Sequence, residues 1–149
     1  MIRGTRGDLA GAAQVTADAD EIARLAHNAQ WLTWALTLRT WVEHLSGDIP
    51  RALRAGEEAV EASDRVSEHY YSVLARCFLA AAHLDHGEPD RCVDGLPSAC
   101  DGVELRPIER PFRPHLYEIL VRAELARKRV GPARDFANVR HPAAQSQGV

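Results

Sequence analysis

The chain has 149 residues, 46% of them hydrophobic, and a formal net charge of −3. This is long enough for one domain with a core. No apolar run approaches the roughly 20 residues of a membrane span, and Met1 to Arg6 lack the apolar centre of a signal peptide. A cytoplasmic location without membrane contact is therefore expected. The charge divides into −6 over residues 1–100 and +3 over residues 101–149. That basic excess is too small for a nucleic-acid footprint, so direct DNA binding by this chain is not expected.

Along the chain, residues 1–6 read as a frayed start. Gly7-Asp8-Leu9-Ala10-Gly11-Ala12 then sets a pattern of Gly, acid and a small residue five positions after the Gly. The pattern returns at Gly47-Asp48-Ile49-Pro50-Arg51-Ala52 and at Gly87-Glu88-Pro89-Asp90-Arg91-Cys92. A degraded fourth copy, Lys128-Arg129-Val130-Gly131-Pro132-Ala133, has lost the turn glycine. The steps are 40, 40 and 41 residues, and Ala19, Ala59 and Ala99 each lie twelve after the turn Gly. A fixed period of this length is the signature of a helical repeat array. Glycine ends one helix in the left-handed conformation at no Cβ penalty. The acid then caps the next helix, and proline suits its first turn. Each turn, at 7–8, 47–48, 87–88 and 128–129, is thus the hinge between a helix A and a helix B of an αα-hairpin.

Helix B of repeat one is expected at 9–26, with Ala12, Val15, Ala19, Ile22 and Ala26 on one face and Asn28 closing it. Its Ile22 and Ala26 are expected to bury against repeat two. Helix A of repeat two follows at 29–46, with Trp34, Leu38, Trp41 and Leu45 in line. Its helix B spans 49–65, turning Ala52, Ala59, Val60 and Ser63 inward. Helix A of repeat three, 68–86, has a wide apolar face of Tyr70, Val73, Leu74, Cys77, Phe78, Ala81 and Leu84, as befits packing on two sides. The next helix B starts at Pro89, and Gly95 and Pro97 should end or kink it early. Leu96 to Pro114 reads as a long loop. Helix A of repeat four covers 115–127, with Leu116, Ile119, Leu120, Ala123 and Leu125. A short helix B covers 131–139. The repeat domain is therefore 1–140, and 141–149 is expected to be a disordered tail. The expected fold is all-α: about seven helices in αα-hairpin repeats, stacked as a right-handed superhelix.

These repeats resemble the tetratricopeptide repeat, with a longer period. The span Gly87 to Ala137 adds Asp90-Arg91-Cys92, a Pro-rich loop with Arg113-Pro114, and Tyr117-Glu118-Ile119-Leu120-Val121-Arg122-Ala123-Glu124-Leu125-Ala126. That order resembles the helical repeat region of large ATP-binding LuxR-type (MalT-like) transcription regulators. The resemblance implies a non-catalytic domain that binds a protein partner or senses a peptide or small-molecule inducer, without cofactor. It carries over no ATP site, because no Gly-rich loop with Lys-Ser or Lys-Thr is present. No DNA-binding helix-turn-helix follows residue 141, so the chain reads as a fragment or stand-alone relative of such a regulator. The alternative is a small helical enzyme or ligand-binding protein with a site in the concave groove.

The candidate groove residues are Trp34, Trp41, His44, Glu118 and Arg122. Exposed tryptophans there would anchor a partner; otherwise they pack between helices. His83-Leu84-Asp85-His86 is the densest set of potential metal ligands. Asp85 projects to a different face from the histidines, and such residues also serve an exposed helix end, so no metal site is assigned. Cys77, Cys92 and Cys100 lack metal-ligand spacing, and their odd number reads as free thiols. Cys77 and Cys92 read as small buried hydrophobes. Finally, the first turn leaves no room for a preceding helix A. Leu9, Val15 and Leu25 are then expected to form an uncovered apolar edge for a partner or a homodimer.

Overall fold

The computed structural model describes residues 8–67, 69–102 and 104–140. They form seven α-helices: α1 (Leu9–Leu25), α2 (Ala29–Leu45), α3 (Ile49–Ser63), α4 (His69–Asp85), α5 (Pro89–Ala99), α6 (Arg113–Ala126) and α7 (Val130–Arg140). The expected frayed start, Gly7 of the first turn and the expected tail lie outside the described residues. Each helix packs on the next in sequence, and α4 also packs on α2 and on α6. The chain is thus all-α, with seven helices in sequential adjacent pairs.

The turns explain why the helices are short and regular. Gly47 and Gly87 take φ of 82° and 89°. Their amides bond back to the His44 and Leu84 carbonyls at 3.1 and 3.0 Å. Asp48 accepts the Arg51 backbone N–H at 3.2 Å, as an N-cap should. Glu88 occupies the same position without capping; its carboxylate meets His83 instead. At the degraded fourth turn Lys128 takes a φ of 61°, so the left-handed step survives the loss of glycine. Asn28 does not close α1. It opens α2 by accepting the Trp31 N–H at 3.0 Å, while His27 takes the left-handed step at φ 51°.

The repeat's fifth position after the turn is buried in three of the four copies. Ala52 and Cys92 are fully buried, Ala133 nearly so, and Ala12 half-buried. The twelfth position is not uniform: Ala59 is fully buried, Ala99 half-buried and Ala19 exposed. In α3 the small residues Ala52, Ala55, Gly56, Ala59, Ala62 and Ser63 form one buried stripe. A Cβ on Gly56 would stand 2.9 Å from Leu79 Cδ1 and 3.2 Å from Thr40 Cγ2. Lack of bulk in α3 therefore sets how closely α2 and α4 approach it.

α1 departs from expectation. Ile22 is 57% exposed and Ala26 is also outside, while Thr16, Asp20 and Ala23 are buried. The helix is rotated so that its apolar face points away from α2. The physical reason is Asp20, whose carboxylate receives Arg24 at 2.7 Å and Arg39 of α2 at 2.8 Å. Thr16 Oγ satisfies itself on the Ala13 carbonyl at 3.0 Å.

α2 behaves alike. Its buried face is Thr33, Ala35, Leu36, Thr37, Thr40 and Glu43. Each threonine hydroxyl donates to the carbonyl four residues back, at 2.7–2.9 Å, which removes the cost of burying it. Hence the apolar line of α2 stays partly outside.

The main core lies in the second half. Val73, Leu74, Cys77, Phe78, Ala81 and Leu84 of α4 pack with Cys92 and Leu96 of α5 and with Leu116, Ile119, Leu120 and Ala123 of α6. α5 does not end at Gly95 or Pro97; it runs on to Ala99, because Cys92 and Leu96, each fully buried, hold it on α4. The connection to α6 is pinned by its own Leu105 and Ile108, both buried. Arg113 ties it further, donating to the Ile108 and Arg106 carbonyls at 2.7 and 2.9 Å. Leu125, expected on the packed face of α6, is 52% exposed.

Candidate functional site

Two surfaces concentrate the residues singled out by sequence. The first runs along α2 and across α4 to α6. Trp31, Trp34, Leu38 and Leu45 follow one another at helical spacing and are 53, 37, 43 and 44% exposed. Trp34 is held from one side by Tyr71 of α4, with ring centroids 4.9 Å apart. Trp41, in the same line, is half-buried. It stacks on Phe78 at 5.5 Å and meets Phe112 edge-on at 6.0 Å. Its indole N–H is enclosed and has no hydrogen-bond partner. Of the two candidate tryptophans, then, Trp34 presents a face to solvent and Trp41 serves mainly as packing.

At the far end of this line a polar ladder crosses three helices. The imidazole Nε2 of His44 lies 2.5 Å from one oxygen of Asp85. Arg122 of α6 donates to the other oxygen at 2.7 Å. Burial alone would raise the Asp85 pKa, but the hydrogen bond with His44 and the Arg122 charge outweigh it and hold the carboxyl below its ordinary value. Glu118 lies one turn before Arg122 on α6 and is exposed. His44 and Arg122 are therefore brought together, through an acid that sequence reasoning placed only in a weak metal motif. The available signal was spacing: Asp85 lies about one repeat length from both, 41 residues after His44 and 37 before Arg122.

The His83-Leu84-Asp85-His86 motif disperses. His83 is buried, not at an exposed end, and its Nδ1 faces Glu88 at 2.8 Å. Among the described residues no cluster of three His, Cys, Asp or Glu side chains is arranged to hold a metal ion. No described helix is long and apolar enough to cross a membrane.

The second surface is the outer face of α1. Val15 and Leu25 are 66 and 74% exposed, and Ile22 lies between them along the helix. Leu9 is half-buried and so only partly contributes. At the C-terminal end of α6, Arg127 pairs with Asp90 and with buried Glu124, which also faces Arg129.

Compared with known proteins, the chain matches no family model, no curated protein and no solved structure.

Proposed function

We propose that this chain is a non-catalytic interaction domain whose α2 line receives an amphipathic helix of a protein partner. The observation that carries the reading is the exposed row Trp31, Trp34, Leu38 and Leu45. At 1.5 Å per residue it runs about 21 Å along α2, the length and spacing that helix-in-groove recognition uses. Soluble proteins seldom leave such a row uncovered without a use for it. The ladder of His44, Asp85 and Arg122, with Glu118 beside it, supplies a polar end that would fix the partner's direction.

The 40-residue period and the Gly87 to Ala137 block support a finer reading: a tetratricopeptide-like right-handed stack from the sensor region of a LuxR-type regulator. On that reading the isolated chain neither hydrolyses ATP nor binds DNA.

The exposed stripe of α1, Val15, Ile22 and Leu25, supports a second contact, between two copies of the chain through α1.

Selection of helical peptides from a displayed library, followed by titration calorimetry, tests the main reading. Enriched peptides should carry apolar residues at three- and four-residue spacing and lose at least tenfold in affinity for Leu38→Lys. Peptides that bind Leu38→Lys as tightly as the wild type, or no enrichment at all, would sink it.

A further inference from the structure

We infer that Cys77 and Cys100 form a redox-active dithiol, which a hydroperoxide converts to a disulfide joining α4 to the end of α5. Their sulfurs are 3.5 Å apart and hydrogen-bonded to each other. Cys77 sits mid-way along α4, and Cys100 caps α5 at the head of the connection to α6. All three cysteines are buried, but Cys100 also forms part of the wall of a surface cavity of about 550 Å³, with Asp101, Gly102, Glu104, Arg106 and Pro107. A small uncharged oxidant can enter such a space.

The three thiols are not equivalent. Either sulfur can donate in the bond they share; with Cys77 as the donor, that bond lowers the pKa of Cys100 and raises that of Cys77. Burial pushes Cys92 up to about 12. Thiolate is the reactive form, so Cys100 attacks first. Its sulfur takes one peroxide oxygen, the O–O bond breaks, and the sulfenic acid forms with release of water or alcohol. The Cys77 sulfur then attacks the Cys100 sulfur, and the hydroxyl leaves as water with the Cys77 proton. Two thiols and one peroxide become one disulfide and two molecules of water, or one of water and one of alcohol. The two sulfurs supply the two electrons.

The bond would brace the connection that carries buried Leu105 and Ile108 and leads to Phe112 against Trp41. It would hold the packing beneath the α2–α4–α6 surface, but the chemistry stands without the partner reading.

The test treats the full chain, and the variants Cys92→Ala, Cys77→Ala and Cys100→Ala, with stoichiometric hydrogen peroxide. In the wild type and Cys92→Ala, denatured samples should lose two thiols and two hydrogens of mass, and fragmentation should map the link to Cys77 and Cys100. The oxidised chain should unfold roughly 10 °C higher, reversibly with dithiothreitol, as expected for closing a loop of this length. Cys77→Ala should instead trap a sulfenic acid on Cys100, read by a dimedone adduct. The inference fails if folded Cys92→Ala keeps both thiols, if Cys100 goes directly to sulfinic acid without a link, or if wild-type oxidation pairs Cys92.

Discussion

α1 and α4 are both amphipathic helices of 17 residues, and they treat their apolar residues in opposite ways. α4 packs against α2, α3, α5 and α6, and almost every large apolar residue it carries is buried or half-buried. α1 packs on α2 and reaches α3 through the ion pair of Arg24 with Glu58 at 2.5 Å. Its Val15, Ile22 and Leu25 are outside, and its buried stripe centres on the carboxylate of Asp20. A helix among four neighbours has apolar surface to meet on every side. A helix with one main neighbour chooses an orientation, and a charge network can decide it. The lesson is that an apolar stripe in sequence marks what could be buried, while the number of neighbours decides what is.

The comparison can be broken most sharply at α3, which is clamped between α2 and α4. Ala52→Trp and Ala59→Trp, both at fully buried sites, should each cost about 1–3 kcal/mol or more through overpacking. Urea unfolding reads this as a lower midpoint. A midpoint unchanged in both variants would show that α3 is not clamped.

Asp20→Ala tests what orients α1. The carboxylate is buried while its partners Arg24 and Arg39 remain partly solvated, so the loss should be about 1–2 kcal/mol, below that of a fully buried pair. Hydrogen exchange should rise across α1 and leave α4 unaltered. Equal exchange in both helices would mean that the network does not hold α1.

Asp85→Asn probes the ladder between α2, α4 and α6. The carboxyl is held below its ordinary value in the folded chain, so it stabilises the fold above pH of about 4. That contribution is lost as pH falls through its folded value. Curves of stability against pH for wild type and variant should therefore stand apart by a constant amount above about pH 4 and converge as the pH falls below it. Parallel curves would deny the ladder any part in stability.

The smallest effect on folding is expected from Val15→Glu combined with Leu25→Glu, both at exposed sites. Stability should stay within about 0.5 kcal/mol of the wild type. Sedimentation velocity should show a wild-type dimer that the double variant loses. A monomeric wild type at high concentration would remove the second contact proposed above.

Much of the architecture was legible locally. The glycine turns, Asp48 as a cap and the prolines at helix starts are short-range geometry, so the helices fall close to where their turns imply. The fifth-position residues Ala52, Cys92 and Ala133 are buried as their size suggests. Where local rules misled, tertiary packing overrode them: α5 continues through Pro97 because Cys92 and Leu96 anchor it on α4. Candidate residues were legible only as types. His44 and Arg122 meet through Asp85, and a period alone does not say which residue lies between two others. Cys77 and Cys100, 23 residues apart, come within 3.5 Å for the same reason.

By itself, the sequence determined the helical class, the left-handed turns at Gly47 and Gly87 and the buried small residues Ala52, Ala59, Cys92 and Ala133, because these depend on backbone conformation and side-chain size within a few residues. Only the tertiary structure decided which face each helix buries. That choice sums contacts with helices distant in the chain, and in α1 and α2 it lets satisfied threonines and a paired aspartate go inside while Val15, Leu25, Trp31, Trp34 and Leu38 stay out.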